Sequence, residues 1–166
     1  MSAKRDGIEI LARQVVETYA AKGMKLATVE SCTGGMVAAA ITDIAGSSAV
    51  LDRGFVTYSN DAKTDLVGVE AQTLEANGAV SEAVACEMAE GGVRRSRGLV
   101  AIAITGVAGP GGGSESKPVG LVHFACASPD GTTHREERFG DIGRAEIRIR
   151  SVEMALRMLL VAIEHS

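Results

Sequence analysis

The sequence holds only three cysteines, an odd number, and none stands in a C-x-x-C spacing. Cys32, Cys86 and Cys126 therefore give no basis for a disulfide framework or a zinc knuckle, and the reducing cytoplasm is the expected compartment. Also missing is any run near the roughly 18 to 20 uninterrupted apolar residues that span a bilayer, and residues 1–7 lack the apolar segment of a signal peptide. A soluble protein without membrane contact is expected. Basic residues are few: 17 Lys and Arg stand against 21 Asp and Glu, a formal net charge of −4. That balance supplies no bulk attraction to nucleic acid. The one dense basic run, Arg94-Arg95-Ser96-Arg97, would neutralise too few phosphates and reads as a solvated helix end. His123, His134 and His165 are scattered without metal-ligand spacing, so neither a metal nor another cofactor is expected.

What remains is a chain of 166 residues, 46% of them hydrophobic, which suits one domain over 1–166. Helix and strand signals alternate without a long linker or an internal repeat. They predict an α/β fold, a three-layer α/β/α arrangement around a mixed, mainly parallel sheet. Ile8, Leu11, Val15 and Tyr19 mark one face of an opening helix that Gly23 ends. Residues 26–29 read as a buried strand, and 36–44 as an alanine-rich helix stopped by Gly46. A β-rich run at 54–58 leads to a helix start at Ser59-Asn60. Ser81 caps a helix with Val84, Met88 and Ala89 on its apolar stripe, ended by Gly91-Gly92. Residues 99–105 have the continuous apolar character of a central strand. Strands at 119–127 and 132–139 flank Ser128-Pro129-Asp130-Gly131, a turn that makes them an antiparallel hairpin. Ile147, Val152, Leu156, Leu159, Leu160 and Ile163 trace a final helix.

Two segments carry chemistry. Ser31 follows the strand at 26–29 and enters the glycine-containing turn Cys32-Thr33-Gly34-Gly35. It reads either as a helix N-cap or as a nucleophile beside backbone donors able to stabilise an oxyanion. The second is the loop from Gly106 to Gly113, whose backbone N–H groups can approach a ligand closely; it reads either as an anion-binding nest or as a surface turn. It fits neither the phosphate-binding loop, since Lys117 follows Ser116 and Pro118 denies the required helix, nor the G-x-G-x-x-G spacing, since Ser114 stands where glycine is needed. Ser114 and Lys117 spell S-x-x-K, but Pro118 again opposes the helix that motif requires. With no well-placed histidine, a base for Ser31 would be a lysine. Tyr58 and Lys63 stand at another strand-to-helix junction.

Several motifs in order resemble one family, the C-terminal domain of the CinA proteins. They are Val29-Glu-Ser31-Cys-Thr-Gly-Gly35, Thr57-Tyr58-Ser-Asn60-Asp-Ala-Lys63, Leu66-Val-Gly-Val69, Ala79-Val-Ser-Glu-Ala83, Ala103-Ile-Thr105-Gly-Val-Ala-Gly-Pro110-Gly-Gly-Gly113-Ser and Lys117-Pro-Val-Gly120. The resemblance covers nearly the whole chain. It implies hydrolysis of the carboxamide of nicotinamide mononucleotide to nicotinic acid mononucleotide and ammonia. Ser31 would be the nucleophile, Lys63 its base and Tyr58 a hydrogen-bonding partner in proton transfer. Amides near Thr33, Gly34 and Gly35 would hold the oxyanion. Thr105, Gly109, Gly111, Gly112 and Gly113 would help hold the nucleotide, with Arg148 on its phosphate. Family members commonly place Gly-Asp-Arg two residues before Ile-Arg, whereas here Ile142 and Gly143 intervene between Gly140-Asp141 and Arg144. That leaves the role of Arg144 open and makes Arg150 a solvated helix residue. The chain begins about one helix before Ser31, so the stand-alone form is implied, without the separate N-terminal domain linked to nucleotide pyrophosphatase activity. A small-molecule nucleotide is the expected partner, with no direct nucleic-acid binding and a symmetric homodimer as the expected assembly.

Overall fold

The computed structural model describes residues 2–166. A five-stranded sheet with the order β2-β1-β3-β4-β5 separates two layers of helix. Its strands are β1 (Leu26–Glu30), β2 (Leu51–Val56), β3 (Val100–Gly106), β4 (Leu121–Ser128) and β5 (Gly131–Arg138). β1 pairs in parallel with both β2 and β3, and β4 is antiparallel to both β3 and β5, so β4 alone runs against the other four. The fold is therefore the expected single-domain α/β with a mixed sheet and an antiparallel end.

The helices are α1 (Ser2–Ala21), α2 (Met36–Thr42), α3 (Asn60–Val67), α4 (Ala71–Asn77), α5 (Glu82–Arg94) and α6 (Arg144–Glu164). Period-2 alternation sorts the central strands into a bulky face and a small one. Leu26, Val100, Ile102, Ile104, Val122, Phe124 and Cys126 pack with α1, α2 and α6. On the other face Val29, Ala103, Ala125 and Ala127 pack with α5, Val67 of α3 and Leu74 of α4.

The alanine face explains where the expected end of α5 was wrong. Gly91 and Gly92 do not stop the helix, which continues to Arg94. They are instead the points of closest approach: a Cβ on Gly92 would sit 2.6 Å from Val29 Cγ2, and one on Gly91 would sit 1.8 Å from the Val67 carbonyl oxygen. Tertiary proximity, not helix termination, requires glycine here. β2 also differs, starting at Leu51 and ending at Val56, so Thr57 and Tyr58 lie in the loop beyond it. α4 has no fully buried residue, and so weak an apolar stripe carries no helix signal in the sequence. Arg94, Arg95 and Arg97 are exposed, as expected of a solvated helix end.

Candidate active site

β1 and β3 end side by side, and this brings Ser31 to the rim of the sheet. The Ser31 N–H donates to the Ile104 carbonyl at 3.0 Å, and the Thr57 N–H to the Glu30 carbonyl at 2.8 Å, so the loop after β2 is tied to the same rim. Beyond Ser31 the chain turns through Gly34 (φ +56°) and Gly35 (φ +104°), conformations that favour glycine. The Gly34 N–H closes this turn on the Ser31 carbonyl at 3.0 Å. Gly35, not Ser31, is the N-cap of α2, so the capping alternative for Ser31 falls away.

Nor are the first donors of α2 open. The buried Glu30 carboxylate accepts from the Val37 N–H at 2.8 Å and from the Ala38 N–H at 3.1 Å. A carboxylate at a helix N-terminus is favoured by the dipole and satisfies orphan amides. The donors left for an oxyanion therefore belong to the turn rather than the helix. Among the described residues, the Thr33 and Gly35 N–H groups have no hydrogen-bond acceptor, whereas that of Gly34 is committed to Ser31. The Thr33 hydroxyl, also buried, has no partner either.

Lys63 arrives from α3, whose start is fixed by Ser59 accepting from the Ala62 N–H at 3.0 Å. Its side chain is only 1% exposed. The Lys63 Nζ lies 3.1 Å from Ser31 Oγ, 2.9 Å from the Thr57 carbonyl and 3.4 Å from the Tyr58 carbonyl. Burial among these neutral groups holds its pKa below the usual lysine value, because desolvation disfavours the charged ammonium. Cys32, next to Ser31, is buried and its thiol is pushed up to about 12, chiefly by that burial. It is a neutral thiol at neutral pH, and only the thiolate is a strong nucleophile.

Ser31 and Lys63 open into a pocket of about 230 Å³ shared with Tyr58, Thr105, Ala108 and Arg144. Tyr58 is 61% exposed, and its hydroxyl accepts from Arg144 Nη2 at 3.2 Å. It meets Lys63 through its main-chain carbonyl and not through its phenol. The Thr105 hydroxyl donates to the Ala79 carbonyl at 2.9 Å, fixing the loop before α5 on one wall.

Arg148, expected on the substrate phosphate, and Arg144, whose role the sequence leaves open, take different places at the start of α6. Arg144 lines the pocket and also donates to the Gly109 carbonyl at 2.7 Å. Arg148 points into the Ser31 turn, donating to the Cys32 carbonyl at 3.0 Å and the Thr33 carbonyl at 3.4 Å. The glycine loop is divided between two cavities. Gly111, Gly112 and Gly113 line a neighbouring cavity of about 570 Å³ with Arg138 and Asp141, while only Gly106 and Ala108 of that segment face Ser31. Arg150 is exposed and pairs with Glu146.

Glu30, Asn60, Ala79 and Val80 went unassigned in the sequence. A carboxylate closing an apolar strand just before Ser31 was the one available signal for Glu30; Asn60 is brought in by the start of α3, and Ala79 and Val80 by the loop before α5. His123 and His134 meet as diagonal neighbours across β4 and β5, Nδ1 to Nε2 at 2.9 Å, with His123 opposite Glu136 and His134 opposite Ala125.

The CinA C-terminal domain model matches residues 8–163. The nicotinamide-nucleotide amidohydrolase PncC of Escherichia coli K12 is 51% identical over 151 residues, which cover 90% of each chain. A CinA-like protein of Synechococcus sp. RCC307 is 53% identical over 150 residues, 90% of this chain but 36% of its own, so this chain spans about a third of that relative. A crystal structure of the competence/damage inducible protein CihA from Agrobacterium tumefaciens is 55% identical, covers 95% of this chain and 96% of its own, and has a TM-score of 0.92. The chain belongs to the CinA C-terminal domain family.

Proposed function

We propose that this protein is a nicotinamide-nucleotide amidase, hydrolysing the carboxamide of nicotinamide mononucleotide to nicotinic acid mononucleotide and ammonia. The observation that carries the reading is the buried Lys63 amine 3.1 Å from the Ser31 hydroxyl, in a chain half identical to a named amidohydrolase of this class.

A neutral amine has two N–H groups and one lone pair. The Thr57 and Tyr58 carbonyls are positioned to accept those two N–H groups, leaving the lone pair for the Ser31 proton. Lys63 takes that proton as Ser31 Oγ bonds to the carboxamide carbon, and the carbonyl oxygen becomes an oxyanion facing the amides of Thr33 and Gly35. Collapse breaks the C–N bond, and the Lys63 ammonium returns the proton to the leaving nitrogen, releasing ammonia. Water then gives a proton to Lys63 and attacks the acyl-Ser31 ester; the carbon–Oγ bond breaks and Lys63 returns the proton to Ser31 Oγ, freeing the acid and restoring both groups.

The pocket of about 230 Å³ is smaller than the roughly 300–1,000 Å³ that encloses a drug-sized ligand. It suits the pyridine ring, leaving the ribose phosphate at the mouth, where Arg144 is the available cation. Tyr58 then borders the cationic ring, a contact that aromatic faces favour. The glycine loop contributes through Gly109, whose carbonyl holds Arg144, rather than by cradling the phosphate itself.

The test is ammonia release from nicotinamide mononucleotide by wild type and Ser31→Ala, with chelator in a parallel reaction. Chelator-resistant release by wild type alone supports the reading. Binding of the nucleotide without release would point instead to a non-catalytic nucleotide-binding module, and absence of both to an amidase of another small substrate.

A further inference from the structure

Arg144 and Arg148 stand four residues apart on α6 and so share one helix face, yet their guanidiniums do different work. Arg144 reaches the pocket mouth. Arg148 is half-buried, does not line the pocket, and binds two consecutive carbonyls of the Ser31 turn, those of Cys32 and Thr33. Its Nη2 also lies 3.5 Å from where a Cβ on Gly34 would stand, so the guanidinium rests directly against that turn.

We propose that Arg148 is a positioning residue which aims the Thr33 amide at the reacting carbonyl by holding the Cys32 carbonyl on the opposite side. The peptide between Cys32 and Thr33 is planar and trans, so its C=O and its N–H point in opposite directions. Ser31 and Cys32 border the pocket, whereas Arg148 and Thr33 stand behind that lining. With the Cys32 carbonyl turned to Arg148, the Thr33 N–H points away from the guanidinium. That amide has no acceptor among the described residues, the state expected of a donor kept for a transient charge.

Two further features support the assignment. Glu30 already occupies the leading amides of α2, which leaves the turn as the donor source. A guanidinium bonded to a peptide carbonyl also polarises that peptide and strengthens its N–H as a donor. Gripping two successive carbonyls fixes the rotation of the peptide plane, which the single point charge of a lysine does not.

The inference rests on the amidase reading and removes Arg148 from contact with the substrate phosphate. The two roles separate kinetically. A residue that orients oxyanion donors acts on the transition state and changes kcat, whereas a phosphate contact made in both ground and transition states changes KM.

The experiment is steady-state hydrolysis of nicotinamide mononucleotide by wild type, Arg148→Ala and Arg148→Lys, with and without millimolar ethylguanidinium, alongside thermal unfolding. The expected result is a kcat lower by up to about 10²-fold in both variants, with KM within about twofold of wild type. Ethylguanidinium should restore part of the kcat in Arg148→Ala but not in Arg148→Lys, whose side chain still fills the site. A raised KM with kcat preserved overturns the proposal, as does a lowered kcat in a folded Arg148→Ala that ethylguanidinium leaves unchanged. If Arg148→Ala does not fold, Arg148→Lys decides: unchanged kcat overturns the proposal, and lowered kcat at constant KM supports it. Failure of wild type to release ammonia would overturn the amidase reading itself, a result distinct from any behaviour of the variants.

Discussion

Lys63 and Ser31 meet across 32 residues of sequence, Nζ to Oγ at 3.1 Å, and the remaining contacts of the amine are two main-chain carbonyls rather than a carboxylate. An ammonium deprived of water and of a counter-charge is held in the protein only by its dipolar neighbours. This is the arrangement that makes a buried lysine a base.

The lowered pKa of Lys63 fixes the direction of two pH dependences. Activity requires the neutral amine, so log kcat/KM should rise with pH at a slope of about one and level off above the depressed pKa. Stability follows the same sign. Between that pKa and the ordinary lysine value of 10.5 the unfolded chain binds more protons than the folded one, so stability rises with pH through this window. Measured by thermal unfolding, any advantage of Lys63→Met over wild type should shrink as pH approaches 10.5. An advantage that grows with pH would show that the folded pKa is raised instead.

Ser31 and Cys32 are adjacent nucleophile types with opposite expected outcomes. Ser31→Ala should lose at least about 10⁴-fold in turnover, since removing a nucleophile that acts with its base removes the whole device. Cys32→Ala should retain turnover, and brief iodoacetamide treatment at pH 7 should leave wild-type activity intact, because the buried thiol is pushed up to about 12. Rapid inactivation with labelling at Cys32 would reverse the assignment.

Glu30 should be costly to remove. Glu30→Ala leaves the buried Val37 amide without an acceptor, at about 1–3 kcal/mol, and the half-buried Ala38 amide at less. Glu30→Gln keeps one carbonyl oxygen and should be destabilised less. Urea unfolding of the two variants checks the order; an Ala variant as stable as Gln would mean that water replaces the carboxylate.

Gly91→Ala reverses the usual sign of that substitution. In an open helix interior it stabilises by about 1 kcal/mol, but here the new methyl would meet the Val67 carbonyl oxygen at 1.8 Å. α5 or α3 must move, at a cost of about 1–3 kcal/mol or more. Because α3 carries Lys63, kcat should fall together with the unfolding midpoint. A stabilised, fully active Gly91→Ala would show that α3 yields without disturbing the Ser31 contact.

Much of this was legible in the sequence where a local rule sufficed. The alternation of apolar runs with capped helices gave the layered fold, and Ser59 and Ser81 were read as caps because their hydroxyls serve amides three residues on. The juxtaposition of Ser31, Tyr58, Lys63 and Thr105 around one pocket came from resemblance to a family, since no periodicity links residues on three strand ends and a helix. Gly91 and Gly92 were misread because a glycine pair that ends a helix and one that admits a neighbour look the same in a string of letters.

By itself, the sequence determined the layered fold, most of its strands and helices and the faces they bury, though not α4, because side-chain period and capping chemistry act over a few residues. Only the tertiary structure decided what each charged group does. It gave the helix amides to Glu30, the turn carbonyls to Arg148 and the pocket mouth to Arg144, because hydrogen-bond partners are selected by distance and direction in space, which separation along the chain does not encode.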